Sequence, residues 1–149
     1  MTRSLSSLLS LGLLIAGCTG SRPMDLGVHD GKLAPCPASP NCVSSQGADQ
    51  EHGIEPLRYT CPPQEALERS KRAISGMKRA RVITESGGYL HAEFTSALFR
   101  FVDDVEFSLD EHASVIHVRS ASRLGYSDLG VNRKRIEDIR AAMTAITPN

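Results

Sequence analysis

Residues 80–122 alternate apolar and polar side chains, and a helical apolar period precedes and follows them. A period of two is typical of strands with one buried face, because successive side chains point to opposite sides of a sheet. The four predicted strands are Arg81 to Glu85, Tyr89 to Thr95, Phe99 to Leu109 with a bulge near Asp103 and Asp104, and Ser114 to Ser122. Only short turns separate them, so we predict an antiparallel meander with one apolar and one polar face.

Two helices are predicted to cover the apolar face. The first is capped by Thr60 and carries Pro62 and Pro63 in its first turn, where the missing N–H groups cost least. The second runs from about Val131 to Ile146, with apolar residues spaced by three and four. A short strand, Ile54 to Tyr59, precedes the first helix and is interrupted by proline.

This order of strand, helix, four strands and helix predicts the fold class. We expect an α+β domain in which one twisted antiparallel sheet carries two helices on its apolar face. The same order occurs in the TATA-box-binding-protein-like and simplified helix-grip folds. We take this as an analogy of architecture, because a fold does not carry a function with it.

The first 17 residues are typical of an export signal. Arg3 precedes a leucine-rich run that is too short to remain as a membrane span. The sequence Ile-Ala-Gly-Cys at 15–18 resembles the bacterial lipobox, and the resemblance implies cleavage before Cys18 and acylation of its thiol, for example with palmitate. The alternative is an ordinary signal peptide followed by an unmodified cysteine.

The remainder is divided into a linker and one domain. Residues 18–33 lack an apolar period and contain Gly, Ser, Pro and Asp, so we expect a flexible linker between the lipid and a single domain at 34–149. A residue other than Asp after the lipidated cysteine, here Thr19, goes with outer-membrane sorting in Gram-negative lipoproteins. The expected location is therefore the cell envelope, lipid-anchored on the periplasmic face of the outer membrane. The membrane is the expected partner, through Cys18.

Charge and composition exclude some function classes. Loss of the signal removes one of 17 basic residues, which leaves 16 against 17 acidic residues and a net charge near −1. A nearly neutral chain gives no bulk argument for nucleic-acid binding, and none is expected. No motif points to a cofactor or a metal, so we expect neither.

Two cysteines lie in a proline-rich loop at residues 35–45. Proline stiffens such a loop, and in an exported chain the pair Cys36 and Cys42 is expected to form a disulfide. Cys42 with Cys61 is the rival pairing, and either choice leaves one thiol over. A metal site that adds Cys61 and His52 is disfavoured, because the spacing matches no standard zinc site.

The densest polar stretch, Arg119 to Arg135, lies between the last strand and the last helix. The candidate ligand-binding residues in it are Arg119, Ser122, Arg123, Tyr126, Asp128, Asn132 and Arg133. Arginines beside a helix start favour a phosphate or carboxylate. The alternative, which we favour, is an internal clamp in which Asp103, Asp104, Glu106 and Asp128 neutralise the arginines, because salt networks of this kind are commonly structural.

The sequence gives weaker support for a catalytic site than for a ligand-binding site or a clamp. Ser122, Ser127, His117 and Asp128 have the residue types of a hydrolase triad, yet no Gly-x-Ser-x-Gly elbow is present. Glu93 and Glu106, on adjacent predicted strands, could form an acid–base pair, but exposed carboxylates on a sheet usually only interact with solvent. His91 and His117 could bind a metal if their strands are neighbours. We expect these side chains to be ordinary residues of the polar sheet face.

Four segments together resemble one family. They are Cys-Pro-Ala-Ser-Pro-Asn-Cys-Val-Ser-Ser at 36–45, Tyr-Leu-His-Ala-Glu-Phe-Thr-Ser at 89–96, Phe-Arg-Phe-Val-Asp-Asp-Val-Glu-Phe at 99–107, and the stretch from 119 to 136. In their order and in their amino-acid sequences, these segments are similar to the domain-of-unknown-function family 1499. The resemblance implies one exported domain, and it supplies no reaction, substrate or catalytic residue.

Three hypotheses on function remain. We favour a membrane-anchored envelope lipoprotein that binds a protein, a glycan or a small anionic ligand without catalysis. The first alternative is an envelope hydrolase that uses Arg119, Arg123 and Asp128 with His91 or Glu93. The second is a lipid carrier, which needs a large apolar cavity between sheet and helices.

Overall fold

The computed structural model describes residues 20–146. The predicted signal peptide and Cys18 lie outside these residues. The elements, in chain order, are β1 (Cys42–Ser44), β2 (Leu57–Arg58), α1 (Pro63–Ser75), β3 (Ala80–Ser86), β4 (Tyr89–Thr95), β5 (Val102–Asp110), β6 (Val115–Ser122) and α2 (Val131–Ala145).

The sheet is antiparallel and has six strands. Its order is β1-β6-β5-β4-β3, and β2 also pairs with β6. The predicted α+β class and the four-stranded meander are confirmed. The apolar pattern does not predict β1, because this strand is only three residues long and lies within the cysteine loop.

The bulge lies elsewhere than expected. Pairing of β5 is continuous with both neighbours through Asp103 and Asp104, so the predicted bulge there is wrong. The register instead shifts between Val82 and Thr84 on β3. This strand is at the sheet edge, where an extra residue disturbs only one ladder of hydrogen bonds.

One face of the sheet meets the two helices. From this face the fully buried Leu90, Phe107 and Val118 contact a layer that includes Ile74 of α1 and Ile136 of α2. The helical period of three and four brings these apolar side chains to one side of each helix. The core is therefore a single layer between sheet and helices.

Neither helix begins with a side-chain cap at its cap residue, and the predicted cap of the first helix, Thr60, is wrong. The cap position of α1 is Pro62 instead of Thr60, with Pro63 as the first helical residue. At α2 the cap residue is Gly130, whose φ of 81° suits glycine. Asp128 compensates by accepting hydrogen bonds from the backbone N–H groups of Gly130 at 3.0 Å and Asn132 at 2.7 Å.

The other face of the sheet, here called the polar face, is covered by the residues just before the domain. We name residues 20–34 the strap. Gly27 and Arg22 of the strap hydrogen-bond to side chains on the polar face, and Leu33 is 5% exposed. The segment expected to be a flexible linker thus packs on the domain. Neither helix within residues 20–146 combines the length and the hydropathy needed to span a bilayer.

Candidate functional site

A charged cluster lies on the polar face, centred on Arg123. The guanidinium donates to both carboxylate oxygens of Asp104 at 2.7 Å and to Glu93 Oε1 at 2.5 Å. On the other side of Asp104, His91 Nε2 lies 2.9 Å from Oδ1. Since Glu93 and Asp104 are directly paired across β4 and β5, the strand register itself brings the two carboxylates under one arginine.

A second cluster surrounds Glu106, whose side chain is 0% exposed. Arg119 Nη1 donates to Oε2 at 3.2 Å, while Tyr89 Oη and the backbone N–H of Gly27 each donate to Oε1 at 2.8 Å. Burial raises the pKa of Tyr89, and the adjacent carboxylate of Glu106 raises it further. The phenol therefore remains a hydrogen-bond donor at neutral pH.

Hydrogen bonds fix the charge states in the first cluster. Burial alone would raise the pKa of Asp104, but hydrogen bonds from Arg123 and His91 outweigh it and hold the pKa below its ordinary value. Glu93 likewise has a lowered pKa, because bonds from Arg22 and Arg123 outweigh its burial. The bonds to Asp104 raise the pKa of Arg123. The cluster is an ion-pair network at neutral pH.

The helix side of the motif is organised by Asn132, which is 0% exposed. Its Oδ1 accepts from Ser120 Oγ and Arg135 Nη1, each at 2.6 Å. Its Nδ2 donates to the carbonyl of Asn41 at 3.0 Å and to Ser122 Oγ at 2.9 Å. One amide thus joins β6, α2 and the disulfide loop, and every polar atom of its side chain is used.

The remaining candidate residues divide into bonded and exposed ones. Arg133 donates to the carbonyls of Gly53 at 2.7 Å and Glu51 at 2.8 Å, which fastens α2 to the loop before β2. Tyr126 is 76% exposed, and its hydroxyl has no hydrogen-bond partner within residues 20–146. Of the predicted ligand-binding residues, Tyr126 is therefore the one that points freely to solvent.

The sheet separates the predicted motif into two groups. Arg119 and Arg123 lie on the polar face, while Ser122 and Asn132 lie on the helix face. Residues in a strand alternate between faces, so neighbours in sequence are not neighbours in the site. Within the described chain, the guanidinia of the motif are engaged by carboxylates or carbonyls, although Arg119 Nε is buried without a partner.

The serine, histidine and aspartate of the hypothetical hydrolase triad do not meet in the structure. Ser122 bonds to Asn132 on the helix face, whereas His117 lies on the polar face. A different serine, Ser45, places Oγ 3.2 Å from His117 Nδ1, and His117 Nε2 is 3.7 Å from Asp110. The same Ser45 Oγ accepts from the backbone N–H of Val118 at 2.8 Å, which makes it an extension of the β1–β6 ladder.

The expected disulfide is confirmed. Cys36 and Cys42 are bonded, with their Cα atoms 5.6 Å apart, and Cys61 is free. Both ring nitrogens of His52 are in hydrogen-bond contact: Nδ1 lies 2.8 Å from Asp49 Oδ1, and Nε2 lies 3.2 Å from the carbonyl oxygen of Ser39. These contacts do not support a metal site at His52. The hydrogen bond to Asp49 raises the pKa of His52.

A small cleft lies beside the two helices. It has a volume of about 360 Å³ and is bordered by β2, α1 and α2. Three arginines line it, but Arg69 is held by Glu65 and Arg140 by the carbonyl of Pro56. The third guanidinium, that of Arg58, is the most loosely held: its side chain is 76% exposed and Nη2 lies 3.9 Å from Glu55 Oε2.

Sequence reasoning missed two contributors to the charged clusters. Arg22 of the strap donates to Glu93 at 2.7 Å, and Asn41 supplies the carbonyl that holds Asn132. Neither position has a local signal, because each acts on a residue more than 70 positions away in sequence. The proline-rich loop around Asn41 was the only available indication that this region is rigid.

Comparison with known proteins gives one family. The family model described as "Protein of unknown function (DUF1499)" matches residues 32–143, which is well over half of the chain. The matched range begins at the end of the strap and includes the sheet residues of both charged clusters and α2 as far as residue 143. Arg22 and Gly27 of the strap lie outside it. No curated protein matches the chain significantly.

Proposed function

We propose that this chain, which belongs to the DUF1499 family of proteins of unknown function, is a lipid-anchored envelope protein. Its action is to bind a partner and not to catalyse a reaction. The partner classes are a protein, a glycan or a small anionic ligand. Acylation of Cys18 places the domain on the membrane surface, in keeping with the lipobox-like sequence at 15–18.

One observation carries the non-catalytic part of the proposal. The polar groups that an active site would present are bonded to one another beneath the strap, as the contacts of Arg123 with Asp104 and Glu93 illustrate. A catalytic group must reach the reacting atoms at hydrogen-bond distance. The side chain of Arg123 is only 7% exposed, so this arrangement favours a structural role for the motif.

The alternatives have less support. An envelope hydrolase that uses Arg119, Arg123 and Asp128 would have to break these ion pairs to receive a substrate. A lipid carrier would need an apolar cavity between the sheet and the helices, where fully buried side chains such as Phe107 and Ile139 lie. The cleft of about 360 Å³ beside α1 and α2 is the place where a small ligand would be sought.

The anchor is tested by metabolic labelling and fractionation. We expect the wild-type chain to incorporate labelled palmitate and to sediment with membranes. Cys18→Ser should abolish labelling and release the protein into the soluble envelope fraction. A Cys61→Ser variant is the matched control and should remain labelled, because Cys61 is a partly buried thiol of the domain. Equal labelling of wild type and Cys18→Ser would refute the anchor.

The non-catalytic part is tested on the same preparations. Wild type and Asp104→Asn should both fail to turn over ester, phosphate-ester and glycan substrates of envelope type. Turnover by the wild type that Asp104→Asn abolishes, with folding preserved in circular dichroism, would replace the binding proposal by the hydrolase alternative.

A further inference from the structure

An exposed apolar surface lies at one end of the sheet. We name it the apolar edge, and its residues are Leu98, Phe99, Phe101, Leu124, Tyr126 and Leu129, with exposed fractions of 79%, 65%, 41%, 36%, 76% and 93%. Single exposed apolar side chains are ordinary on proteins, whereas a group of six in one place marks an interaction surface.

The strand register brings the two loops of this edge together. Thr95 at the end of β4 pairs with Val102 at the start of β5, so residues 96–101 form one loop at this end. The backbone N–H of Arg123 donates to the carbonyl of Val102 at 3.1 Å, which starts the loop 123–130 beside it. The two loops therefore open from neighbouring strands at the same end of the sheet.

The loops hold apolar side chains outward at a conformational cost. Arg100 has a φ of 59° and Leu129 a φ of 55°, a region that side chains with a Cβ atom rarely adopt. The turn at Arg100 stacks the rings of Phe99 and Phe101 with centroids 5.5 Å apart. Strain of this kind persists at positions where the outward geometry has a use.

The described chain begins at this edge. A Cβ atom on Gly20 would lie 3.0 Å from Arg123 Cβ and 3.2 Å from Leu124 Cγ, so Gly20 is packed against the loop 123–130. Arg22 then binds Glu93 at 2.7 Å and secures the strap there. Cys18 precedes Gly20 by two residues, and two residues span at most about 7 Å. Acyl chains on Cys18 would thus enter the bilayer directly beside the apolar edge.

The charge at this end matches a membrane surface. Lys78 and Arg79 are exposed in the turn before β3, and the backbone of Arg79 pairs with Thr95. Arg100 is exposed between the two phenylalanines. The nearby carboxylate of Asp128 accepts hydrogen bonds from N–H groups at the start of α2, whose partial positive charge offsets its negative charge in part. Cations around an apolar and aromatic patch favour the interface of a bilayer that contains anionic lipid.

We propose that the apolar edge inserts into the bilayer that carries the Cys18 anchor, with Phe99, Phe101, Tyr126 and Leu129 in the interfacial region. This inference rests on the proposed lipid anchor and adds an orientation to it. The strap removes the freedom of a linker, so the domain lies directly on the membrane with this end down. The opposite end of the sheet, at the β5–β6 turn, faces away from the lipid and is available to partners.

The experiment uses tryptophan, because the chain has none of its own. Phe99→Trp and Tyr126→Trp are probes at the edge, and His112→Trp is the control in the exposed turn between β5 and β6. Each full-length lipidated protein is placed in phosphatidylethanolamine and phosphatidylglycerol vesicles with brominated acyl chains. We expect roughly half of the emission of the edge probes to be quenched, and less than about a tenth of the control emission.

A charge variant gives a second reading. Phe99→Asp, in the Tyr126→Trp background, should reduce the quenching at residue 126 by about threefold, because a carboxylate resists transfer into the interface. His112→Asp in the same background should leave it unchanged. Phe99 is 65% exposed, so its replacement should leave the melting temperature close to that of the parent.

The outcomes separate the docking inference from the anchor. Vesicle-bound, acylated protein whose edge probes are no more quenched than residue 112 overturns the docking and leaves the anchor in place. Unacylated Cys18 in the mass spectrum overturns the anchor and the inference that rests on it. An emission shift of the edge probes that grows with protein concentration without lipid assigns the edge to a second copy of the chain, and this also overturns the docking.

Discussion

Replacement of Arg123 is the sharpest test of the charged cluster. Arg123→Ala removes the bonds to Asp104 at 2.7 Å and the bond to Glu93 at 2.5 Å. The side chain of Asp104 is 1% exposed, and among residues 20–146 it would keep His91 as its one side-chain partner. The change therefore leaves a carboxylate buried with most of its compensation removed.

The magnitude follows from that geometry. Removal of one partner of a buried ion pair costs about 3–5 kcal/mol, because the remaining charge stays desolvated. For a domain of this size each kcal/mol lowers the melting temperature by roughly 3–5 °C, so we expect a decrease of about 10–20 °C at pH 7. Glu93 loses less, since it is partly exposed and retains Arg22.

The pH dependence gives the reasoning a second check. In the wild type the folded-state pKa of Asp104 is lowered, so its contribution to stability is present above the unfolded pKa and is lost as the pH falls through the folded pKa. Without Arg123, burial raises the pKa of Asp104, and the carboxyl takes up a proton on mild acidification. The deficit of Arg123→Ala should therefore be largest at pH 7 and should shrink towards pH 4.

Thermal and urea unfolding followed by circular dichroism measure both effects. Arg72→Ala is the matched control, because Arg72 is exposed on α1 and its loss should change stability by no more than about 0.5 kcal/mol. Adding Asp104→Asn to Arg123→Ala should restore part of the loss, since an amide is cheaper to bury than a charge. A variant that melts like the wild type at pH 7 would refute the clamp and return Arg123 to the candidate anion-binding residues.

Three further predictions concern the rest of the domain. Asn132→Ala should cost about 2–4 kcal/mol in urea unfolding, because Ser120 and two other buried groups each lose one hydrogen bond, and a loss below about 1 kcal/mol would contradict the role of the amide. Cys36→Ser should lower the free energy of unfolding by about 2 kcal/mol, because the unfolded chain is no longer closed into a loop between residues six positions apart. The variant's stability should not change with reductant, and a persistent effect of reductant would argue against this disulfide. The raised pKa of His52 means that its stabilisation is complete below its ordinary value of 6.5 and is lost as the pH rises through the folded pKa. The melting temperature of the wild type should therefore fall as the pH rises from about 6 to 8, whereas that of Asp49→Asn should not. Equal pH profiles would refute a stabilising pair of His52 and Asp49.

Much of the fold follows from local pattern. The meander of β3 to β6 and the two helices were predictable, because the periods of two and 3.6 report directly which side of each element is buried. The disulfide was predictable to the level of a preferred pair, since Cys36 and Cys42 are close in sequence. The position of the bulge was not, because a bulge depends on which ladder is at the edge of the sheet.

The contacts within the charged cluster were harder to predict from the sequence. The residue types of the clamp were predictable except for Asp128, which accepts from backbone N–H groups and not from an arginine. Glu93 and Arg123, however, are 30 positions apart and meet only through the register of β4, β5 and β6. A slip of one residue would place one of them on the opposite face. The separation of Ser122 from Arg123 onto two faces follows from the same register.

By itself, then, the sequence determined the α+β class and the residues that form the core, because each depends on a continuous local pattern. Tertiary structure alone decided that residues 20–34 lie on the polar face, since Arg22 and Gly27 find partners about 71 and 79 positions away. It also decided that the loops at 96–101 and 123–130 share one edge beside Gly20. Which surfaces meet depends on strand pairing across the whole sheet, and no local period encodes that pairing.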